Sequence, residues 1–200
     1  MIFEFIMIDR TLIIIKPDAL QRGLVGTIFE TLENVGLKLL AAKMVRPDEQ
    51  VIKNHYPGTP EWVREMGEKT LASFKQSGLN TKEKMKTDDP NKLGQFVYER
   101  LIKYWREGPI IVSVWEGPGA VAVARKLRGH TIPLLSDPGT IHANYSLDSS
   151  PLSAGLDRVV KTFVHASGST EEAEREIKYW FGEIKEFKSY KRDIDKLYLK

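Results

Sequence analysis

The 200-residue chain contains no cysteine, which excludes disulfides, thiolate metal sites and a cysteine nucleophile. Long apolar runs are also missing: none approaches the ~20 residues of a membrane span. Charge of one sign is not in excess. Thirty Lys and Arg face 27 Asp and Glu, and the resulting net charge of +3 is too small to argue for nucleic acid, which is not an expected partner. The glycines form neither a Walker A loop nor a dinucleotide fingerprint, no Cys/His pairing has zinc spacing, and no internal repeat occurs. The opening Met1-Ile-Phe-Glu-Phe-Ile-Met7 lacks the basic region of a signal peptide. Met7 is an alternative start, and the cytoplasm is the expected compartment.

What is present is an ordinary globular composition, 42% hydrophobic and 28% charged, on a chain that fits one large domain or one core domain with insertions. The most informative stretch is Thr162 to Ile177. Phe163-Val164 reads as the end of a short buried strand, with His165 following on a turn of small residues. Ser169 and Glu172 form a capping-box pair, so a helix starts there. Ala173, Ile177, Trp180 and Phe181 give that helix one buried stripe, and Glu176 lies where it can reach back to an imidazole nitrogen. A histidine held by a carboxylate, beside a helix N-terminus that favours anions, suits phosphoryl capture. Taken alone, such a histidine is more often structural.

Upstream, Thr11-Leu12-Ile13-Ile14-Ile15 reads as a strand buried on both faces, ended by Lys16-Pro17-Asp18. Val25 to Val35 marks a helix stopped by Gly36, Leu37 to Val45 a second strand, and Asp48 the cap of a short helix carrying His55-Tyr56. Thr59-Pro60 opens a further helix with a weak stripe of Val63, Met66, Thr70 and Phe74, and Ser77-Gly78 stops it. Asn80 to Asp88 is polar and lysine-rich, and is expected to be a solvated loop. Asp89-Pro90 restarts a helix that runs to Gly108-Pro109. Ile110 to Gly117 is a third strand and Gly119 to Leu127 another helix.

The sequence His165-Ala166-Ser167-x-Ser169-x-Glu-x-Ala173-x-x-Glu176-Ile177 resembles the active-site signature of nucleoside diphosphate kinases. Arg10-Thr11-Leu12-Ile13, Lys16-Pro17-Asp18 and Gln21-Arg22-Gly23-Leu24-Val25-Gly26 are similar to the opening of the same family. The resemblance spans nearly the whole chain apart from two insertions and the two ends. It implies an α/β (α+β) fold of ferredoxin-like type, a four-stranded antiparallel sheet with helices packed over it. The chain is then a single domain over 1–200 with insertions at about 57–90 and 146–158 and a C-terminal helical extension over 183–200. Ile184, Phe187, Ile194 and Leu197 keep that extension docked on the domain or on another subunit. The first insertion is a lid, an oligomer contact or a passive elaboration outside the catalytic core.

The implied activity moves the γ-phosphate of a nucleoside triphosphate to a nucleoside diphosphate, ping-pong, through a phosphohistidine. By family role His165 attacks through Nδ1 and Glu176 holds its ring. Tyr56 positions Lys16, and Ser167 donates to His165 or its phosphate. Lys16, Arg125 and Thr131 hold phosphates, and counting back from Gly108-Pro109 places Val97 against the base. His142 stands where the family has a phosphate-clamping arginine, Thr162 where it has an asparagine, and Gly168 where it has an aspartate. These changes bear on nucleotide affinity, and the alternative reading is a nucleotide sensor with weak or lost turnover. The resemblance further implies Mg²⁺ arriving on the nucleotide with no protein-borne metal site, and a homo-oligomer, hexamer or tetramer.

Overall fold

A computed structural model of the chain describes residues 8–184 and 190–195. Met7, Phe187 and Leu197, singled out above, lie outside the described residues. Strand β1 (Ile8–Ile15) sits inside a four-stranded antiparallel sheet. It pairs with β3 (Ile110–Pro118) on one side and β4 (Val164–Ala166) on the other, and β2 (Lys38–Val45) pairs with β3. The order β2-β3-β1-β4 and the covering helices make this the ferredoxin-like arrangement.

The apolar run of β1 is continuous because both sheet faces are covered. Ile13 and Ile15 enter one core with Leu32, Trp115, Ala120 and Ala124. Helices α1 (Pro17–Gln21), α2 (Val25–Asn34) and α7 (Ala120–Arg128) contribute to that side. Leu12 and Ile14 point the other way, into a core with Ile52, Trp105, Ile177 and Trp180. This second core is closed by α3 (Glu49–His55), α6 (Pro90–Trp105) and α10 (Thr170–Phe181). Burying each such aliphatic side chain contributes roughly 1.5–3 kcal/mol.

Both insertions are more helical than the sequence suggests. The expected caps hold: the Thr59 hydroxyl accepts from Trp62 N at the start of α4 (Pro60–Gln76), and Asp89 caps α6. The expected loop over Asn80 to Asp88 instead contains α5 (Thr81–Met85), because the Asn80 side chain accepts from Glu83 N and Thr81 is buried. Beyond α8 (Ile141–Tyr145), the second insertion holds α9 (Ser150–Gly155). Asp148 organises it, receiving both Arg158 nitrogens and Lys161 N. Helix α4 meets α6 with backbone nearly touching backbone. A Cβ on Gly67 would lie 1.8 Å from Pro90 O, and one on Gly94 1.8 Å from Val63 O.

The expected helical extension is corrected over residues 190–194, which run as irregular chain and a turn. Arg192 donates to Gly36 O at 2.9 Å and Leu37 O at 2.7 Å, and Lys38 Nζ donates to Tyr190 O at 2.6 Å. These residues are satisfied by the start of the edge strand rather than by a helix of their own. The docking expectation holds for them.

Candidate active site

His165 lies within β4, not on a turn after it, and pairs with Ile14 of β1. Side chains at paired positions share a sheet face. His165 therefore projects onto the Leu12–Ile14 side, among the residues of α3, α6 and α10. Its Nε2 lies 3.1 Å from each carboxylate oxygen of Glu176 on α10. A carboxylate can only accept, so Nε2 carries the proton, and in the neutral ring Nδ1 keeps the lone pair.

Ser167 is fully buried and donates to Glu176 Oε2 at 2.7 Å. The expected bond to His165 is thus replaced by one to the carboxylate that holds it, while Ser167 Oγ accepts from Leu12 N at 3.2 Å. Burial would raise the Glu176 pKa, but the His165 charge and the hydrogen bonds from His165 and Ser167 outweigh it and hold the group at about 2. The helix cap forms as expected, with the Ser169 hydroxyl accepting from Glu172 N. The return bond is shifted by one residue: Glu172 Oε2 accepts from Gly168 N at 2.7 Å. That carboxylate would lie 2.4 Å from a Cβ at 168, so glycine there gives Glu172 its place.

His55 of α3, which the sequence marks only as Tyr56's neighbour, lies edge-on to His165 with ring centroids 4.8 Å apart. Trp180 Nε1 donates to its Nδ1 at 3.3 Å. Burial first, and then His165, lower its pKa to about 3, so it stays neutral. Tyr56 stacks against Trp105 at 5.4 Å, and Lys16 Nζ lies 5.8 Å from that same indole ring. Tyr56 thus reaches the lysine through Trp105 packing. Burial and then Glu176 push its hydroxyl well above the ordinary range, so it remains protonated.

Lys16 continues the alternation of Leu12 and Ile14, and its backbone N donates to Phe163 O at 2.9 Å. Its Nζ donates to Thr162 Oγ1 at 2.5 Å, which gives the residue in the asparagine position a concrete partner. Burial lowers the Lys16 pKa to about 7; Asp18 opposes the shift and Arg128 adds to it. Tyr104 ties the floor together through a short bond to Asp18 Oδ1 and lies 2.9 Å from Thr162 O.

These groups open onto a cavity of about 490 Å³, in the range of small-molecule sites. Lys16, Val97, Arg125, Thr131, His142, Thr162 and His165 all line it. Phe96 lines it beside Val97 and carries the Arg100 guanidinium 3.5 Å from its ring centre. Tyr98 turns away to Trp62. The first insertion supplies another wall, including Met66, Lys69, Ser73 and Gln76, and so stands beside the reaction chamber.

His142 is 1% exposed. Its Nδ1 donates to His130 O at 2.7 Å, and its Nε2 is buried with no hydrogen-bond partner. Burial lowers its pKa to about 4, overriding the bond to His130 O. His142 in the chain itself is therefore neutral at neutral pH, unlike the arginine whose position it takes. Arg128, unmarked by the sequence reading, lines the cavity with Arg125. The signal for it was its spacing, three residues after Arg125 on one helix.

Among the described residues one group of three could hold a metal ion: His55, His165 and Glu176. Its two imidazoles suit a softer ion than Mg²⁺, which prefers oxygen ligands and keeps its water.

The family model described as "Nucleoside diphosphate kinase" matches residues 9–62 and 59–185, two stretches that meet at the start of α4. A nucleoside diphosphate kinase of Pyrobaculum aerophilum is 46% identical over 176 residues, covering 88% of this chain and 96% of that one. The solved structure of an NDP kinase from that organism superposes with a TM-score of 0.81 at 43% identity, over 88% of this chain and 96% of the other. A Borrelia burgdorferi nucleoside-diphosphate kinase, solved with bound vanadate and ADP as a transition state mimic, superposes with a TM-score of 0.75. Its identity is 32%, over 96% of each chain. A family model matched along most of the sequence, relatives of this identity and a fold shared with these enzymes place the chain in the nucleoside diphosphate kinase family.

Proposed function

We propose that the chain transfers the γ-phosphate of a nucleoside triphosphate to a nucleoside diphosphate with His165 as the covalent carrier. The observation that carries this is the double contact of Glu176 with His165 Nε2, which leaves Nδ1 as the free nucleophile. The Nδ1 lone pair forms a bond to the γ-phosphorus while the bond to the β–γ bridging oxygen breaks, its electrons leaving on the diphosphate. The ring gains positive charge, which the Glu176 carboxylate offsets. In the second half a terminal oxygen of the acceptor's β-phosphate attacks phosphorus, and the P–N electrons return to Nδ1. One site serves both halves, so the kinetics are ping-pong.

Lys16, Arg125 and Thr131 stabilise charge spread over the transferring group, which is most of the work in phosphoryl transfer. Thr162 and Tyr56 position Lys16, the first by a direct bond and the second through Trp105. Val97 and Phe96 flank the base, and Ser167 fixes the carboxylate that orients His165. His142 closes the phosphate end as a neutral wall. Magnesium, brought in with the nucleotide, would neutralise part of the phosphate charge beside Lys16, Arg125 and Thr131. The chain is read as one domain whose two insertions wall the cavity. The intact nucleophile pair favours turnover over a sensor. A homo-oligomer, hexamer or tetramer, is checked by sedimentation. The compartment is read as the cytoplasm; separately, no described helix is long and apolar enough to cross a membrane.

The test is incubation with γ-labelled ATP and GDP. Wild type is expected to give labelled GTP and an acid-labile, base-stable protein label, and His165→Gly to lose both. Transfer that persists in His165→Gly contradicts the assignment.

A further inference from the structure

Arg128 ends α7 one turn after Arg125, so both guanidinium groups leave the same helix face. Both line the cavity with Lys16, Thr131 and His142. Arg128 Nε donates to Gly129 O at 3.2 Å, which sets the stem of the fork, and no described carboxylate pairs with its two terminal nitrogens. A helix-ending arginine commonly satisfies the last carbonyls and keeps its charge in water. This one is half-buried against two other cations. Burial, and then Arg125, lower its pKa to about 10, and only Glu172 opposes them. It therefore remains charged at neutral pH in a place that disfavours charge until an anion arrives. Opposite it, His142 spends its Nδ1 proton on His130 O, and in the neutral ring Nε2 has no proton to offer a phosphate.

We propose that Arg128 is the second guanidinium of the phosphate subsite, gripping the polyphosphate together with Arg125 and supplying the positive charge that His142 does not. The planar fork suits this role, since two parallel N–H groups match two phosphate oxygens. The proposal rests on the phosphotransfer reading above.

The experiment measures magnesium-ATP and adenosine binding to wild type, Arg128→Met and Arg128→Lys by calorimetry, with unfolding midpoints taken without nucleotide. Loss of a charge-assisted contact predicts ATP binding about ten- to hundredfold weaker in Arg128→Met. Adenosine, which carries no phosphate, should bind as before, and Arg128→Lys should lie between. Unchanged ATP affinity overturns the proposal, and so does an equal loss for ATP and adenosine, which is the mark of a helix cap. If the methionine variant does not fold, the lysine variant decides: several-fold weaker ATP with unchanged adenosine supports the fork, and wild-type values for both contradict it. These outcomes are separable from failure of the parent reading, in which wild type itself transfers no label from ATP to GDP.

Discussion

The nucleophile and the phosphate wall share one cavity but differ in how their charges are answered. At the nucleophile, Glu176 receives His165 Nε2 and the Ser167 hydroxyl, and its pKa falls to about 2. On the wall, Lys16 has a hydroxyl for its Nζ and is lowered to about 7, while Arg128 has a backbone carbonyl for its Nε and is lowered to about 10. The first region is organised by the protein alone. The second holds cations in surroundings that disfavour them, a tension that phosphates relieve. On the mechanism proposed above, pre-set geometry belongs to the atom that reacts, and unanswered charge to the groups that receive the anion.

The largest effect is expected from breaking the satisfied side. Glu176→Gln removes the charge opposite the imidazole, and single-turnover formation of the phosphohistidine should slow by about ten- to hundredfold with little change in ATP affinity. A normal rate would mean that the carboxylate only packs.

On the unsatisfied side, Lys16 gives a pH signature. Its proton is half lost near pH 7 in the chain alone, and bound phosphate favours the cation, so binding above pH 7 must take up a proton. ATP affinity through this group should fall by up to about tenfold per pH unit above 7. Folding responds in the opposite sense. The unfolded chain keeps this proton up to 10.5, so this group's contribution to stability rises with pH between about 7 and 10.5. Calorimetry near pH 8 in buffers of different ionisation enthalpy should show more proton uptake by wild type than by Lys16→Met. Equal uptake would place the Lys16 pKa near its ordinary value.

How much of this contrast the sequence disclosed depends on what holds each residue. The Ser169 cap and the buried β1 run are local or periodic signals, and both stand in the structure. The sequence alone ends the strand before His165, because β4 is only three residues long and exists through its ladder with β1. The polar stretch around Thr81–Met85 reads as a loop and Ser150–Gly155 carries no periodic signal, since these two helices pack on each other and on α4 and bury few residues of their own. Arg128 matches no family position, so the resemblance does not mark it, although it lines the cavity. His142 matched in position, but its buried ring and its bond to His130 O arise from tertiary packing.

The smallest effect concerns the insertion that walls both regions. Gly94→Ala forces a methyl to within 1.8 Å of Val63 O, so α4 must lift from α6. The cost should sit near the low end of about 1–3 kcal/mol, since an outer helix pair can separate, with a few-fold rise in KM for ATP. An unchanged unfolding midpoint would show that the two helices do not meet this closely.

The most direct measurement of the satisfied side is the position of the phosphate on the ring. Wild type labelled with ATP is digested in base and its phosphohistidine isomer identified by phosphorus NMR against the two synthetic standards. With Nε2 committed to Glu176, the phosphate is expected on Nδ1 of His165. Phosphate on Nε2 would contradict the account, because the nitrogen assigned to the carboxylate would then be the one that reacts.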